Sequence, residues 1–247
     1  MAKGAPHTRC AGEGVGVVFQ LWCCQVWCKR HRPLFAFWPK NARILMLGFG
    51  GGALAKTLLS NYQVDAVEIE AKMYDLAQKH FNVNLDKNDR IVFEDARAFL
   101  RHSQDQYDLI FLNLYSGSFI PCHTHTKEAL DLMRDRLKPN GLLVSNIVGH
   151  PDDLYIRSLI KTLKASFPVV VPAGKYRGFD NMMGLAALDQ QNIPPLTGMF
   201  QEMKVDDSTG ELILDDKNPV ELLMVERLDD LHRITKQVLG YTPFFAM

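Results

Sequence analysis

The stretch Ala42–Leu54, ARILMLGFGGGAL, decides the fold. Ile44 to Leu47 form an unbroken apolar run that stops at Gly48. Such a run, without alternation and closed by glycine, reads as a strand buried on both faces of a parallel sheet. Gly48, Gly50, Gly51 and Gly52 follow within five residues, so the backbone can turn tightly and approach a ligand closely. ALAKTLLSNY then has helical spacing, which aims a helix N-terminus at the same ligand. The glycine spacing is not GxGxxG, which argues against a dinucleotide. The loop also lacks the Lys-Ser/Thr of a phosphate-binding loop, which argues against nucleoside triphosphate hydrolysis.

Outward from this unit the pattern repeats. QVDAVEIE, RIVFED, YDLIFLNLY and GLLVSNIVG read as strands. AKMYDLAQKHF, ARAFLRHS, TKEALDLMRDRLK and DLYIRSLIKTLKASF alternate with them as helices, the third ended by Pro139-Asn140-Gly141. VVVPA and MMGLAAL are the last strands. Strands alternating with helices mean crossover units, and hence a Rossmann-like, doubly wound α/β fold with a mostly parallel, seven-stranded sheet. Residues 39–190 carry this pattern. Residues 1–38 read as an irregular N-terminal extension and residues 191–247 as a helical tail packing on the core. In that tail QQNIPPLTGMF is a loop entering a short helix, and Pro219–Leu239 is apolar at helical spacing.

The 247 residues are ample for a core that needs neither disulfides nor metal. Lys plus Arg and Asp plus Glu are 28 each, which argues against a protein that coats nucleic acid. No apolar run reaches the roughly 18–20 residues that span a bilayer. Five cysteines, four of them before residue 30, make no disulfide framework and fit a reducing cytoplasm. The apolar stretch VVFQLWCCQVWC runs into KRHR where a signal peptide would need small residues.

In doubly wound sheets, ligands sit beyond the carboxyl ends of the strands. Glu68 ends the second strand, where a carboxylate can accept from both ribose hydroxyls. Glu70, on the same side in strand geometry, is an alternative. Asp95 follows the third strand. It is placed to accept from an adenine amine, with the Ala96 N–H near a ring nitrogen, and equally to cap the helix behind it. Cys122, His123 and His125 are too tightly spaced for a tetrahedral metal set, so no metal is expected there. His123 instead reads as a residue at a substrate mouth. Thr126 is an N-cap candidate, with Glu128 in the first helical turn.

LMLGFGGGAL, VEIE, FEDARAFL, YDLIFLNLYSG and LKPNGLLVSNI, in this order, resemble the spermidine synthase (polyamine aminopropyltransferase) family. The likeness is to its bacterial spermidine-synthase-like branch within the class I methyltransferase fold, and extends through IPCH and LILDDKNPVELL. The resemblance implies a transferase that uses S-adenosylmethionine or its decarboxylated form as co-substrate, a small-molecule amine as acceptor, and self-association as a homodimer. It implies that Gly48, Gly50, Gly51 and Gly52 cradle the aminopropyl or aminoacyl part, Glu68 the ribose, and Asp95 with Ala96 the adenine.

Two departures fall on the fourth strand. The family carries Asp where this chain has Asn113, and a second Asp where it has Ser116. The first Asp accepts a proton from the attacking amine, whose pKa lies near that of lysine, about 10.4. Asn113 can accept a hydrogen bond but cannot serve as that base, and losing a general base costs on the order of 10²–10⁴ in rate. Asp215 and Asp216, with Glu221, are substitute carboxylates if the tail folds over the site. Tyr115 can stack on a substrate amine or simply pack. Three readings follow. They are aminopropyl transfer to a diamine such as putrescine, methyl transfer from intact S-adenosylmethionine to an already neutral acceptor, and a silent nucleotide-binding protein.

Overall fold

The computed structural model describes residues 38–59, 61–115, 120–174, 181–196 and 201–224. The readings of residues 1–37, of Ser116 and of most of the segment Pro219–Leu239 lie outside these.

The described elements begin with β1 (Arg43–Leu47), α1 (Ala53–Leu58), β2 (Gln63–Glu68), α2 (Ala71–Phe81), β3 (Arg90–Phe93), α3 (Ala96–His102) and β4 (Tyr107–Leu112). There follow α4 (Lys127–Asp135), β5 (Leu137–Val148), α5 (Leu154–Ser166), β6 (Val169–Gly174), β7 (Asn181–Ala187) and the two-residue β8 (Gln201–Glu202). The described strands form one sheet in the order β3-β2-β1-β4-β5-β7-β6-β8. β1 to β5 are parallel, and β7 runs antiparallel between β5 and β6.

The period of two along each strand sorts the core into two layers. Leu45, Leu47, Ile110 and Leu112 face α3, α4 and α5, among Phe99, Leu130, Met133 and Leu159. Ile44, Met46, Leu109 and Phe111 face α1 and α2, among Leu54, Leu58 and Ala77. Every one of these is essentially buried. Both faces are therefore covered, which explains why β1 and β4 are continuous apolar runs.

At the amino ends of the strands Asp65 is buried. Its Oδ2 accepts from Arg43, Arg90 and the Tyr107 hydroxyl. Asp105 bridges the same two arginines. This charged cluster ties β1 to β4 at the end away from the glycine loop, and the two guanidinium groups hold the Asp105 carboxyl below its usual range.

Three expectations need correction. The helix over TKEALDLMRDRLK stops at Asp135, and Pro139-Asn140-Gly141 lies within β5. Tyr107 pairs with Leu137 but Leu109 with Leu142, so residues 138–141 bulge outward. A side chain on Gly141 would press on the Lys138 and Tyr107 carbonyls, which is why glycine sits at that bulge. The sheet gains an eighth strand, since β8 pairs with the end of β6. Finally, QQNIPP does not lead into a described helix. A 3-10 turn at Gln190–Asn192 precedes the prolines, and Gln201–Glu202 is strand.

Candidate functional site

The strand order reverses between β1 and β4, and a cleft opens where their carboxyl ends part. The empty space in and above it is about 710 Å³, open solvent at the mouth included. Gly48, Gly50, Glu68, Asp95, Ala96, Asn113, Tyr115 and His123 line it, with Val67, Ile69, Leu114 and Pro121 as apolar walls. Glu94 also lies on the wall, so the described lining holds three carboxylates and neither Lys nor Arg.

The glycine loop is shaped by its own backbone. Gly48, Gly50 and Gly52 have φ values of 92°, 52° and 70°. At Gly48 the need is steric as well, because a Cβ there would overlap the Asn113 carbonyl oxygen. Gly52 is the N-cap of α1 and lies against the Phe49 ring and Val83. Gly51 and Gly52 are not among the residues that line the cleft.

Glu68 ends β2 and reaches back under this loop. Its Oε2 accepts from the Phe49 N–H at 3.0 Å and the Gly50 N–H at 2.9 Å, and its Oε1 from the Glu70 N–H at 3.0 Å. A carboxylate has about four lone-pair sites, so one remains after three bonds, and Glu68 is among the residues that line the cleft. Glu70 is spoken for elsewhere: it caps α2 through the Lys72 N–H and does not line the cleft.

Of the two roles anticipated for an acid after β3, Asp95 fills the helix cap. Oδ1 caps α3, accepting from the Arg97 and Ala98 N–H groups at 3.0 and 2.9 Å. Oδ2 lies 2.8 Å from the His123 Nε2. Burial would push this carboxyl up, but the His123 bond and the two backbone bonds outweigh it and hold the group below its ordinary value. His123 belongs to a 3-10 turn, Cys122–Thr124, that forms one wall of the cleft. His125 points the other way. It is buried beside Thr124, and burial pushes its pKa down to about 4. Thr126 caps α4 through the Ala129 N–H.

Asn113 follows β4, with its side-chain Oδ1 accepting from Asn146 Nδ2 at 2.8 Å. Tyr115 lines the cleft and is anchored at its hydroxyl, which donates to the Asn146 carbonyl and accepts from the Val148 N–H. Asp215 and Asp216 are not in the cleft. Asp215 forms a two-pronged ion pair with the buried Arg97 guanidinium, and that pairing holds its carboxyl below the usual range. The tail thus packs on α3 and α4 and does not reach the mouth of the site with these carboxylates. Sequence reasoning missed Arg97, Asn146 and the contact of His123 with Asp95. Only the arginine left a signal, as a charge set inside the apolar phase of FEDARAFL.

A family model described as "Methyltransferase domain" matches residues 44–141. The polyamine aminopropyltransferase of Vibrio vulnificus is 34% identical over 116 residues, which are 44% of this chain and 39% of that protein. The N-terminal histidine N-methyltransferase of Emericella nidulans is 31% identical over 135 residues, 52% of this chain and 24% of that one. The matched stretch thus spans well under half of either relative. The crystal structure of a probable spermidine synthase from Corynebacterium glutamicum superposes with a TM-score of 0.64 at 18% identity, covering 78% of this chain and 80% of that one. That likeness establishes the class I methyltransferase-type fold.

Proposed function

We propose that this chain is a transferase that binds an adenosyl sulfonium co-substrate, decarboxylated S-adenosylmethionine, and moves its aminopropyl group to an amine such as putrescine. The observation that carries this reading is the charge of the cleft. Three carboxylates and no described lining Lys or Arg suit a cationic sulfonium and disfavour a phosphate-bearing nucleotide. The same inventory offers no basic partner for the carboxylate of intact S-adenosylmethionine, which the decarboxylated form lacks. The match to a polyamine aminopropyltransferase points the same way.

In this reading Glu68 accepts from a ribose hydroxyl while keeping the glycine loop folded, and Asp95 accepts from the adenine amine beside His123. The amine lone pair attacks the carbon next to sulfur. The carbon–sulfur bond breaks, and its electron pair stays on sulfur as neutral methylthioadenosine. The acceptor gives up its proton to water before the attack, because Asn113 cannot take it, and the new ammonium carries the charge the sulfonium loses. The enzyme therefore relies on the cleft for alignment, worth several kcal/mol in well-oriented systems, and works on the small unprotonated fraction of the acceptor.

One observation favours methyl transfer instead. The amide pair Asn113–Asn146 makes the tip of β4 neutral, which suits an acceptor that arrives uncharged. Thermal-shift titration with decarboxylated S-adenosylmethionine, S-adenosylmethionine and methylthioadenosine separates the readings. A ligand at about 100 times its Kd adds about 2.7 kcal/mol of stability. Selective stabilisation by the decarboxylated form, followed by spermidine formation from putrescine, supports aminopropyl transfer. Preference for the intact form moves the assignment to methyl transfer. No shift with any of the three rejects both.

A further inference from the structure

The segment LILDDKNP, residues 212–219, has no place in the cleft, yet its contacts converge on one wall of it. It runs as a strap over α5 and α4. Ser158 Oγ accepts from the Glu211 N–H and Thr162 Oγ1 from the Ile213 N–H. The Lys127 N–H donates to the Ile213 carbonyl, and Glu128 accepts from the Asp215 N–H. At Gly210 the strap lies so close to α5 that a Cβ would meet the Arg157 backbone.

The far end of the strap grips the 3-10 turn that carries His123. Asn218 Nδ2 donates to the Cys122 carbonyl at 3.0 Å. Asp215 holds Arg97 by two prongs, and the same Arg97 donates to the His123 carbonyl at 3.0 Å. Two successive carbonyls of the turn are thus held by strap-controlled donors. Meanwhile its one cleft-facing imidazole meets Asp95.

We propose that Asn218 and the Asp215–Arg97 pair are positioning residues that hold His123 on Asp95, and that His123 so placed sets the affinity of the cleft for the purine end of its ligand. The purine part of this inference rests on the proposed function. The positioning part does not. The chemistry suits a 6-amino purine: a carboxylate held by the α3 N–H groups and one imidazole retains an acceptor lone pair for the exocyclic amine. When the turn relaxes, His123 leaves and Asp95 Oδ2 loses its side-chain partner, while Oδ1 stays on the α3 N–H groups.

Asn218→Asp is the discriminating variant. It keeps an oxygen to accept from the Val220 N–H, as Asn218 Oδ1 does now, but can no longer donate to Cys122. Asp215→Asn is the second, loosening the grip on Arg97 without emptying the position. In the ligand-free protein, the imidazole ¹⁵N shifts of His123 report its bond to Asp95. Both variants are expected to move those shifts, and unchanged shifts in both overturn the positioning role whatever the cleft binds. With methylthioadenosine as the probe in calorimetry, Asn218→Asp is expected to raise Kd about fivefold to tenfold, the scale of one lost hydrogen bond. In a His123→Ala background the same exchange is expected to change Kd less than about twofold, since the two residues then act as one unit. An equal rise in both backgrounds overturns action through His123. If the unaltered protein binds no methylthioadenosine, the proposed function fails, while the imidazole shifts still decide whether the strap positions His123.

Discussion

Asn113 and Asn146 face each other across β4 and β5, with the Asn113 side-chain Oδ1 2.8 Å from the Asn146 Nδ2 that donates to it. An aspartate at position 113 would keep that bond, because a carboxylate oxygen accepts from the same amide. Asn113→Asp is therefore expected to fold normally and to add a base beside the acceptor. Methylthioadenosine release with putrescine should rise by about 10²-fold or more at neutral pH, within the range general bases supply. An unchanged rate would mean that proton removal does not limit turnover.

The same geometry predicts a pH profile. With no base at position 113, the rate follows the unprotonated acceptor. It should climb about tenfold per pH unit up to the acceptor's pKa, near 10.4 for an alkyl amine. The Asn113→Asp variant should flatten at lower pH. A plateau at neutral pH in the unaltered protein would contradict this.

Glu68 links loop shape to ligand affinity. Glu68→Ala frees the Phe49 and Gly50 N–H groups. Hydrogen bonds to a charged group are worth about 1.5–3 kcal/mol when lost. We expect a lowered Tm and at least a tenfold rise in the Kd for methylthioadenosine. Glu68→Gln retains one acceptor oxygen and should fall between.

Two glycines of the loop should respond differently to alanine. At Gly48 the new methyl would overlap the Asn113 carbonyl, a backbone atom that cannot swing aside. At Gly50 nothing lies within 4 Å, and only the positive φ is strained. Gly50→Ala should cost about 1–2 kcal/mol, the price of a left-handed alanine. Gly48→Ala should cost several kcal/mol more, read by chemical denaturation.

His125 predicts how stability depends on acid. Burial holds its folded pKa at about 4, below the ordinary histidine value of 6.5. Between these values the unfolded chain binds the proton and the folded one does not, so folding is favoured by rising pH. The contribution is complete above about pH 6.5 and is lost as the pH falls towards 4. His125→Gln should flatten the Tm curve in that window. A curve equally steep in both proteins would reject the assignment.

Much of the fold was legible in the sequence because it is written in local periodicity. Ile44–Leu47 and Leu109–Leu112 must be buried on both faces, and only a parallel sheet covered by helices does that. The glycines of the first loop announced a turn that no residue with a Cβ can make at Gly48. Glu68 and Asp95 stood out because a strand's last residue has a known place relative to the switch point, and the structure puts both on the cleft. Pro139-Asn140-Gly141 misled because a turn signal reads alike at a helix end and at a bulge between strands. Asp215 misled for a different reason. A carboxylate in sequence is only a charge awaiting a partner, and Arg97, 118 residues away, claims it. Which helix face the tail covers, that Asn146 pairs with Asn113 at the tip of β4, and that His123 turns towards Asp95 while His125 is buried all depend on long-range packing. The sequence determined the layers and the strand ends. The tertiary structure alone decided which side chains meet there, because hydrogen-bond partners are chosen by proximity in space, and no local pattern encodes that.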